Sequence, residues 1–358
     1  MATRVLIVDD TAVFRRIVAD ALADAPGIEV AGTASNGRLA LSRMAALQPD
    51  IVTLDIEMPE MNGIETLDAM KSAGITAGVI MVSSLTMRGG EMTVRALERG
   101  AFDFITKPEG GTPAENNRQL RAQLLPMIQA FVQSREIKSI LDGVRRPKPP
   151  APAAVAQARA LRHSGPPLVL IGVSTGGPAA LLTLVPSLPA DLGAPVFIVQ
   201  HMPAMFTQSL AASLARKSSV CIREAQDAEV ARPGCVYIAP GGRHMKLHPA
   251  SKGEIAVSIT DDPPENRCRP SVDYLFRSVA LNFPGRAVAA ILTGMGNDGT
   301  EGLRMLKRGG CVSIAQDEAT CVVYGMPKEA MNAGVVDIVA PIDQIAGLIV
   351  RSVRGGKV

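Results

Sequence analysis

Short apolar runs, typical of buried β-strands, alternate with helical patterns along this chain, and the alternation starts twice. The first series opens with VLIVDD and closes with FDFITKP, and the second opens at Leu168 with LVLIGVSTGGP. Helical patterns at residues 12–23, 39–47, 64–71 and 91–99 separate the first five strands. Strands that alternate with helices pair in parallel under two helical layers. The sequence therefore predicts an α/β protein with two doubly wound parallel-sheet domains.

The segment between the two series is basic and rich in proline and alanine. Residues 118–162 hold 9 Lys and Arg against 2 Asp and Glu, and the stretch RRPKPPAPAAVAQARALRHSGPP has six prolines and no aromatic residue. Such a basic run can bind nucleic acid, but this composition favours a solvated linker. We therefore predict domains at 1–120 and 166–358, a linker at 121–165, and no nucleic-acid partner.

Targeting signals and cysteine chemistry are also constrained by the sequence. Asp9 and Asp10 fall where a signal peptide would continue its apolar region. The apolar runs are far shorter than the roughly 18 residues that cross a bilayer. The five cysteines form no C-x-x-C pair. We expect a cytoplasmic protein with no direct membrane insertion, whose thiols are reduced and bind no zinc.

Polar residues end four strands of the first series. Asp9 and Asp10 follow strand 1, Asp55 ends strand 3, Ser83 ends strand 4 and Lys107 follows strand 5. The carboxyl ends of parallel strands meet at one edge, where open α/β sheets bind ligands. Clustered carboxylates suit Mg²⁺, and the metal with Lys107 would let Asp55 attack a phosphoryl donor. Each residue alone is more simply a helix N-cap or a surface charge, but together they predict a site.

This half resembles the receiver domain of bacterial response regulators. The resemblance rests on VDD at residues 8–10, DIEMPEMNG at 55–63, Ser83, and KP at 107–108. It implies a flavodoxin-like fold in which Asp55 accepts the phosphoryl group. It also implies that Asp9, Asp10, Asp55 and the Glu57 main-chain carbonyl hold Mg²⁺, and that Ser83, Phe104 and Lys107 form the switch.

In the second half, the Gly-rich turn after the first strand has three interpretations. A dinucleotide fingerprint needs glycine where Ser174 stands, and a P-loop needs a Gly-Lys-Ser/Thr that is missing. The remaining one, G-x-S-x-G, is a strand-to-helix turn that exposes a nucleophilic hydroxyl, although Ser174 could simply cap the helix.

A serine nucleophile needs a base, and His201 follows the next strand. Asp298 follows a later apolar strand and could orient the imidazole, although His201 could be structural and Asn-Asp-Gly could be only a turn. The order Ser, His, Asp differs from that of α/β-hydrolases. His244 and His248 could hold a metal if they lie on a helix, which is the less favoured interpretation.

Residues 166–355 resemble the catalytic domain of the chemotaxis protein-glutamate methylesterases, the CheB family. The matching segments are IGVSTGGP at 171–178, QHMP at 200–203, YIAPGG at 237–242, RPSVD at 269–273 and LTGMGNDG at 292–299. The resemblance implies a Rossmann-like fold in which Ser174 is the nucleophile, His201 the general base and Asp298 its orienting partner. It also implies that the Met295 amide is an oxyanion donor and that the esterase needs no cofactor.

The family's activity implies hydrolysis of glutamate methyl esters on chemotaxis receptors, with deamidation of receptor glutamines. A chemotaxis histidine kinase would phosphorylate Asp55 and so relieve a block of the active site by the receiver. Arg269 could contact the acidic receptor helix or be only a surface charge. The alternative is a response regulator with a nucleotide-binding or DNA-binding output, but residues 163–358 show no concentration of basic charge.

Overall fold

The computed structural model describes residues 2–143 and 165–355, which fall into two compact units, Met1–Ile137 and Lys138–Val358. Within these residues, no helix is both long enough and apolar enough to cross a membrane. Each unit is built on its own largely parallel sheet with helices packed against it. The predicted fold class, two α/β domains, is confirmed.

The first unit contains a five-stranded parallel sheet in the order β2-β1-β3-β4-β5. Its strands are β1 (Thr3–Val8), β2 (Ile28–Ala34), β3 (Ile51–Asp55), β4 (Gly78–Ser83) and β5 (Asp103–Thr106). The helices are α1 (Ala12–Ala23), α2 (Gly37–Leu47), α3 (Gly63–Ser72), α4 (Met87–Glu98) and α5 (Pro113–Gly143). Helices α1 to α4 overlap the four predicted helical patterns, and α4 begins four residues before the predicted start and ends one residue before the predicted end.

Burial and capping explain why these strands and helices form where they do. Every residue of β3 and β4 is buried, as the continuous apolar runs require of central parallel strands. Helix α3 begins after a capping box in which Asn62 and Glu65 each accept a backbone hydrogen bond from the other. Because β1 lies between β2 and β3, the strand order reverses beside β1, and ligands bind at such a reversal.

Helix α5 continues well past residue 120, where the sequence predicted the linker to begin. The Phe131 ring packs edge-on against Phe102, with centroids 5.2 Å apart, and lies over Gly78, where a Cβ would be 2.3 Å from that ring. Arg135 Nη1 pairs with Asp50 Oδ1 at 3.0 Å. Residues as far as about 135 therefore pack on the first sheet. The boundaries 1–120, 121–165 and 166–358 stay a prediction, and positions 144–164 of the linker lie outside the described residues.

The second unit contains a seven-stranded parallel sheet in the order β14-β13-β12-β6-β7-β9-β8 and an antiparallel hairpin, β10-β11. The strands are β6 (Leu168–Val173), β7 (Val196–Gln200), β8 (Cys221–Glu224), β9 (Cys235–Ile238), β10 (His244–Pro249), β11 (Ile255–Thr260), β12 (Ala287–Ile291), β13 (Val312–Gln316) and β14 (Ile338–Ala340). The α-helices are α6 (Gly177–Leu184), α7 (Phe206–Lys217), α8 (Val272–Asn282), α9 (Thr300–Arg308), α10 (Met326–Asn332) and α11 (Ile342–Val353).

Three central strands, β12, β6 and β7, bring the predicted catalytic residues to one edge. All three are buried along their whole length. The register pairs Val173 of β6 with Gln200 of β7, so Ser174 and His201 each follow one of two directly paired residues. On the other side, β6 pairs with β12, whose carboxyl end leads to Asp298. Neighbouring strands lie about 4.8 Å apart, so the three loops converge.

Candidate active site and acidic cleft

Ser174 lies in the turn between β6 and α6, and backbone bonds on both sides fix its position. Its N–H donates to the Thr293 carbonyl at 3.0 Å, and its carbonyl accepts from the Gly177 N–H at 2.8 Å and from Gln200 Nε2 at 3.0 Å. The N-cap of α6 is Gly176, with φ +76°. The alternative that Ser174 caps this helix is therefore wrong, and its side chain is partly exposed.

Glycines allow the chain to pack closely around this turn. A Cβ on Gly177 would lie 1.9 Å from Gln200 Oε1, and a Cβ on Gly294 would lie 2.8 Å from Ser174 Cβ. Gly176 adopts its left-handed backbone without steric cost because glycine has no Cβ. Gly177 and Gly294 therefore allow close approach of the chain, whereas Gly176 provides the geometry of the turn.

His201 is held between the sheet and Asp298. Its N–H donates to the Val173 carbonyl at 3.2 Å, and its Nε2 is 2.8 Å from Asp298 Oδ2. The two side chains are only 13% and 3% exposed. Because Nε2 faces the carboxylate, Nδ1 is the ring nitrogen left to act on other groups, and Cys268 Sγ lies 3.6 Å from it.

Asp298 accepts four further hydrogen bonds at the N-terminus of α8. Its Oδ2 accepts from the Val272 N–H at 2.7 Å, and its Oδ1 accepts from the Asp273 N–H at 3.1 Å. Ser271 Oγ, the N-cap of α8, and Asn266 Nδ2 each donate to Oδ1 at 2.9 Å. A helix N-terminus favours negative charge, so this carboxylate is fixed in position and in its ionised form.

The two partners shift each other's ionisation. Burial disfavours the Asp298 carboxylate, but the hydrogen bonds from His201, Asn266 and the α8 backbone outweigh it and hold the pKa of Asp298 well below its usual range. Burial likewise disfavours the His201 imidazolium, yet the hydrogen bonds with Asp298 and Cys268 raise its pKa above the ordinary value. His201 is therefore a stronger base than a free imidazole.

The hydrogen-bonding groups around Asp298 could be anticipated only in part from the sequence. Ser271 precedes an apolar helical pattern, which is typical of an N-cap. Asn266 and Cys268 lie in an irregular segment with no periodic signal.

Within residues 165–355, no hydrogen bond joins the Ser174 hydroxyl to His201, as is common before substrate binds.

Met295 lies in a turn that neighbouring backbone bonds fix beside Ser174. The Gly294 N–H donates to the Val323 carbonyl at 3.0 Å, and the Gly294 carbonyl accepts from the Gly325 and Met326 N–H groups at 3.0 and 2.8 Å. None of these bonds uses the Met295 N–H. That amide is therefore a candidate donor to a developing oxyanion.

The metal hypothesis for His244 and His248 is wrong. Both lie on strand β10, where positions i and i+4 are about 13 Å apart. His244 is buried and stacked on Tyr274, its Nε2 is 3.1 Å from the Pro263 carbonyl, and burial lowers its pKa. His244 therefore has a structural role.

The first unit carries an acidic cleft of about 310 Å³ at the carboxyl ends of its strands. Asp9, Asp10 and Asp55 can each offer one oxygen within 4.8 Å of the others. Lys107 Nζ lies 2.8 Å from Asp55 Oδ2 and 2.7 Å from Asp9 Oδ2. The lining residues are Asp10, Asp55, Ile56, Glu57, Ser83, Ser84, Gly89 and Lys107.

Asp55 is unusually basic for an aspartate. Burial raises its pKa to about 6; the Lys107 hydrogen bond opposes this rise, and the Asp9 charge adds to it. One ammonium therefore faces three carboxylates, a shortage of positive charge that a hard divalent cation would relieve. The residues present fit Mg²⁺.

The predicted switch residues lie on adjacent strands. Ser83 is buried at the end of β4, and its Oγ accepts from Thr93 Oγ1 at 2.8 Å. Phe104 is buried on β5, two residues before the position paired with Ser83. The cleft includes Ser83 and Lys107 but not Phe104, and the switch role stays a prediction.

Comparisons with known proteins match both halves of the chain. The CheB methylesterase family model matches residues 169–349, and the response regulator receiver domain model matches residues 5–114. A protein-glutamate methylesterase/protein-glutamine glutaminase of Desulfotalea psychrophila is 48% identical over 98% of both chains. The chain belongs to the CheB family. The family resemblance predicted from the motifs is confirmed.

Another relative and a solved catalytic domain of the CheB family are also similar in sequence to this chain. The protein of the same description from Bacillus subtilis is 45% identical over 99% of both chains. The crystal structure of the Thermotoga maritima CheB methylesterase catalytic domain is 42% identical, with a TM-score of 0.51, and covers 53% of this chain and 99% of that domain. These matches decide against a nucleotide-binding or DNA-binding output.

Proposed function

We propose that this CheB protein is a phosphorylation-regulated protein-glutamate methylesterase that also deamidates glutamines. It would act in the cytoplasm on chemotaxis receptors, and a chemotaxis histidine kinase would be its phosphodonor. The observation that carries the proposal is the 2.8 Å contact between His201 and Asp298, beside Ser174, at the carboxyl edge of the sheet.

The proposed mechanism follows from the orientation of His201. Asp298 keeps a proton on Nε2, so Nδ1 can accept the Ser174 proton as the hydroxyl oxygen attacks the ester carbonyl. The imidazolium that forms is stabilised by the ionised Asp298. The Met295 N–H and the N-terminus of α6 would stabilise the oxyanion.

The imidazolium then protonates the leaving group. Methanol departs from a methyl ester and ammonia from a glutamine, which leaves an acyl group on Ser174. His201 next takes a proton from water, which attacks the acyl carbon; the bond from that carbon to Ser174 Oγ breaks, the imidazolium returns the proton to Ser174, and free glutamate is released. This esterase chemistry requires no cofactor, and it needs a substrate side chain that reaches the sheet edge.

The acidic cleft is the proposed phosphorylation site. Asp9, Asp10, Asp55 and the Glu57 main-chain carbonyl would hold Mg²⁺, which neutralises the charge of an incoming phosphoryl group. The Asp55 carboxylate attacks phosphorus as the bond from phosphorus to the kinase histidine nitrogen breaks, so the imidazole leaves and Lys107 stays paired with the anionic product. Ser83 and Phe104 would sense the phosphoryl group and change the neighbouring surface.

Regulation is proposed to act on access of the receptor to Ser174. In the unphosphorylated protein the receiver would restrict that access, and phosphorylation of Asp55 would relieve the restriction.

Arg269 is a candidate contact for an acidic receptor helix. It is exposed, and its guanidinium lies 3.3 and 3.4 Å from the Asp261 and Asp262 carbonyls.

Methanol release from methylated receptor tests the proposal directly. Wild type should release methanol and be labelled at Ser174 by a fluorophosphonate, whereas Ser174→Ala should do neither. A phosphodonor such as acetyl phosphate should accelerate wild type but not Asp55→Asn. A fragment starting at residue 166 should be faster than the unphosphorylated whole protein. Normal methanol release by Ser174→Ala would refute the nucleophile, and a fragment no faster than the whole would refute restricted access.

A further inference from the structure

Cys268 lies against the proposed catalytic histidine on the side away from Asp298. Its Sγ is 3.6 Å from His201 Nδ1, while His201 Nε2 is 2.8 Å from Asp298 Oδ2. Serine and cysteine side chains are activated when they lie within reach of a base and a third group orients that base. Cys268, His201 and Asp298 therefore form a second such constellation, and it uses the same ring nitrogen as Ser174.

The backbone holds the thiol in this position. Glu265 and Cys268 exchange two backbone hydrogen bonds, of 3.1 and 2.8 Å, across a tight turn whose central residues Asn266 and Arg267 have φ of +52° and +63°. Asn266 anchors this turn by donating to both Asp298 and Asp273. The turn that supports the catalytic carboxylate therefore also sets the distance from the thiol to the imidazole.

The surroundings of Cys268 differ from those of the other thiols. Cys268 is partly exposed and its Sγ lies beside the His201 ring, and reactive cysteines occupy such accessible positions next to a basic group. Cys235, Cys311 and Cys321 are buried. Cys221 is exposed, but its partner across the sheet is Cys235. Cys268 is thus the thiol that combines access with a contact to an oriented base.

We propose that Cys268 is a modification site at which small disulfides form a reversible mixed disulfide and thereby stop ester hydrolysis. His201 Nδ1 takes the thiol proton, and Sγ attacks one sulfur of the disulfide. The Sγ–S bond forms as the disulfide S–S bond breaks, and the departing thiolate takes the proton from the imidazolium. Cys268 is oxidised, and half of the disulfide is released as a thiol.

The group attached to Cys268 would lie beside His201 Nδ1, the atom that must accept the Ser174 proton, and would therefore block ester hydrolysis. The effect on ester hydrolysis rests on the proposed function, whereas the reactivity of the thiol does not. An ordinary thiol is only a few per cent thiolate at neutral pH, so a neighbouring base can raise its rate of exchange by about tenfold.

The first test measures labelling of the full-length protein by bis(2-hydroxyethyl) disulfide, a small neutral probe. Samples quenched with acid are mapped by mass spectrometry to give separate rates for Cys268 and Cys221. We expect Cys268 to react about tenfold faster than Cys221 in the native protein and at the same rate in urea, and His201→Gln to remove the advantage. Equal native rates, or a fast Cys268 in His201→Gln, would overturn the proposal.

The second test follows methanol release during the same reaction. Wild-type activity should fall in proportion to Cys268 labelling and return after treatment with tris(2-carboxyethyl)phosphine. Cys268→Ser and Cys268→Ala should each keep their own untreated activity in the presence of the probe. Fast labelling with undiminished methanol release would refute the block but leave the reactive thiol. Absence of methanol release from untreated wild type would refute the proposed function instead.

Discussion

Replacing Asp298 with asparagine separates the charge of this side chain from its shape. The amide oxygen can take the place of Oδ1 and keep the bonds from Asn266, Ser271 and the Asp273 N–H. The amide nitrogen then stands where Oδ2 was, facing the Val272 N–H and His201 Nε2. His201 can accept from it only by moving its own proton to Nδ1, the nitrogen that must take the Ser174 proton.

The expected cost to catalysis is therefore large and the cost to stability moderate. Fixing the wrong tautomer of a triad histidine lowers kcat by about 10⁴-fold. The Val272 N–H loses its acceptor, which lowers the free energy of unfolding by about 1–3 kcal/mol. In wild type, kcat/KM should rise with pH as His201 loses its proton. Because Asp298 raises the pKa of His201, this rise should occur at a pH above the ordinary imidazole value. In Asp298→Asn the rising limb of the pH profile of kcat/KM should move to lower pH.

The assay is methanol release from methylated receptor across a pH series, with urea unfolding measured in parallel. Asp273→Asn is a matched control, because Asp273 is buried in the same network and contacts Asn266 and the Gly302 N–H but not His201. It should keep the pH limb of wild type. An Asp298→Asn variant with activity within tenfold of wild type and an unshifted limb would refute the assigned role of Asp298.

Three further expectations concern the nucleophile, its packing and the acidic cleft. Ser174→Ala and His201→Ala should each lower methanol release about as much as the double variant, because the two residues act in one step; losses that multiply would contradict this. Gly177→Ala should lower the free energy of urea unfolding by about 1–3 kcal/mol and slow methanol release, since its Cβ would displace Gln200 from the Ser174 carbonyl; unchanged stability would contradict the close contact. Mg²⁺ affinity, measured by calorimetry, should rise about tenfold per pH unit below about 6 and then level off, because Asp55 must lose its proton to bind; a flat profile would contradict the raised pKa.

The sequence predicted the sheets and the positions of Ser174, His201, Asp298 and Asp55 for one physical reason. Parallel strands end at a common edge, so polar residues that follow buried strands converge there whatever their spacing in the chain. The register of β6 with β7 bears this out for Ser174 and His201.

Other features escaped prediction because their sequence carries a local or ambiguous signal. The spacing of His244 and His248 fits a helix as well as a strand, although the buried Met245 and Leu247 flank the more exposed Lys246 as the alternation of a strand requires. Asn266 and Cys268 acquire their contacts through a tight turn between β11 and α8, where no periodicity identifies buried partners. The predicted linker starts at residue 121, inside α5, because the C-terminal part of α5 runs directly into the proline-rich segment.

The length of α5 has a consequence for how such regulators exchange parts during evolution. A receiver transferred with its border at residue 120 would leave behind Phe131 and Arg135. Gly78, Phe102 and Asp50 would then face solvent or an unrelated helix. A transfer that keeps residues to about 135 carries these partners together. Recombinants whose junction falls after that point should therefore be the ones that express and survive selection.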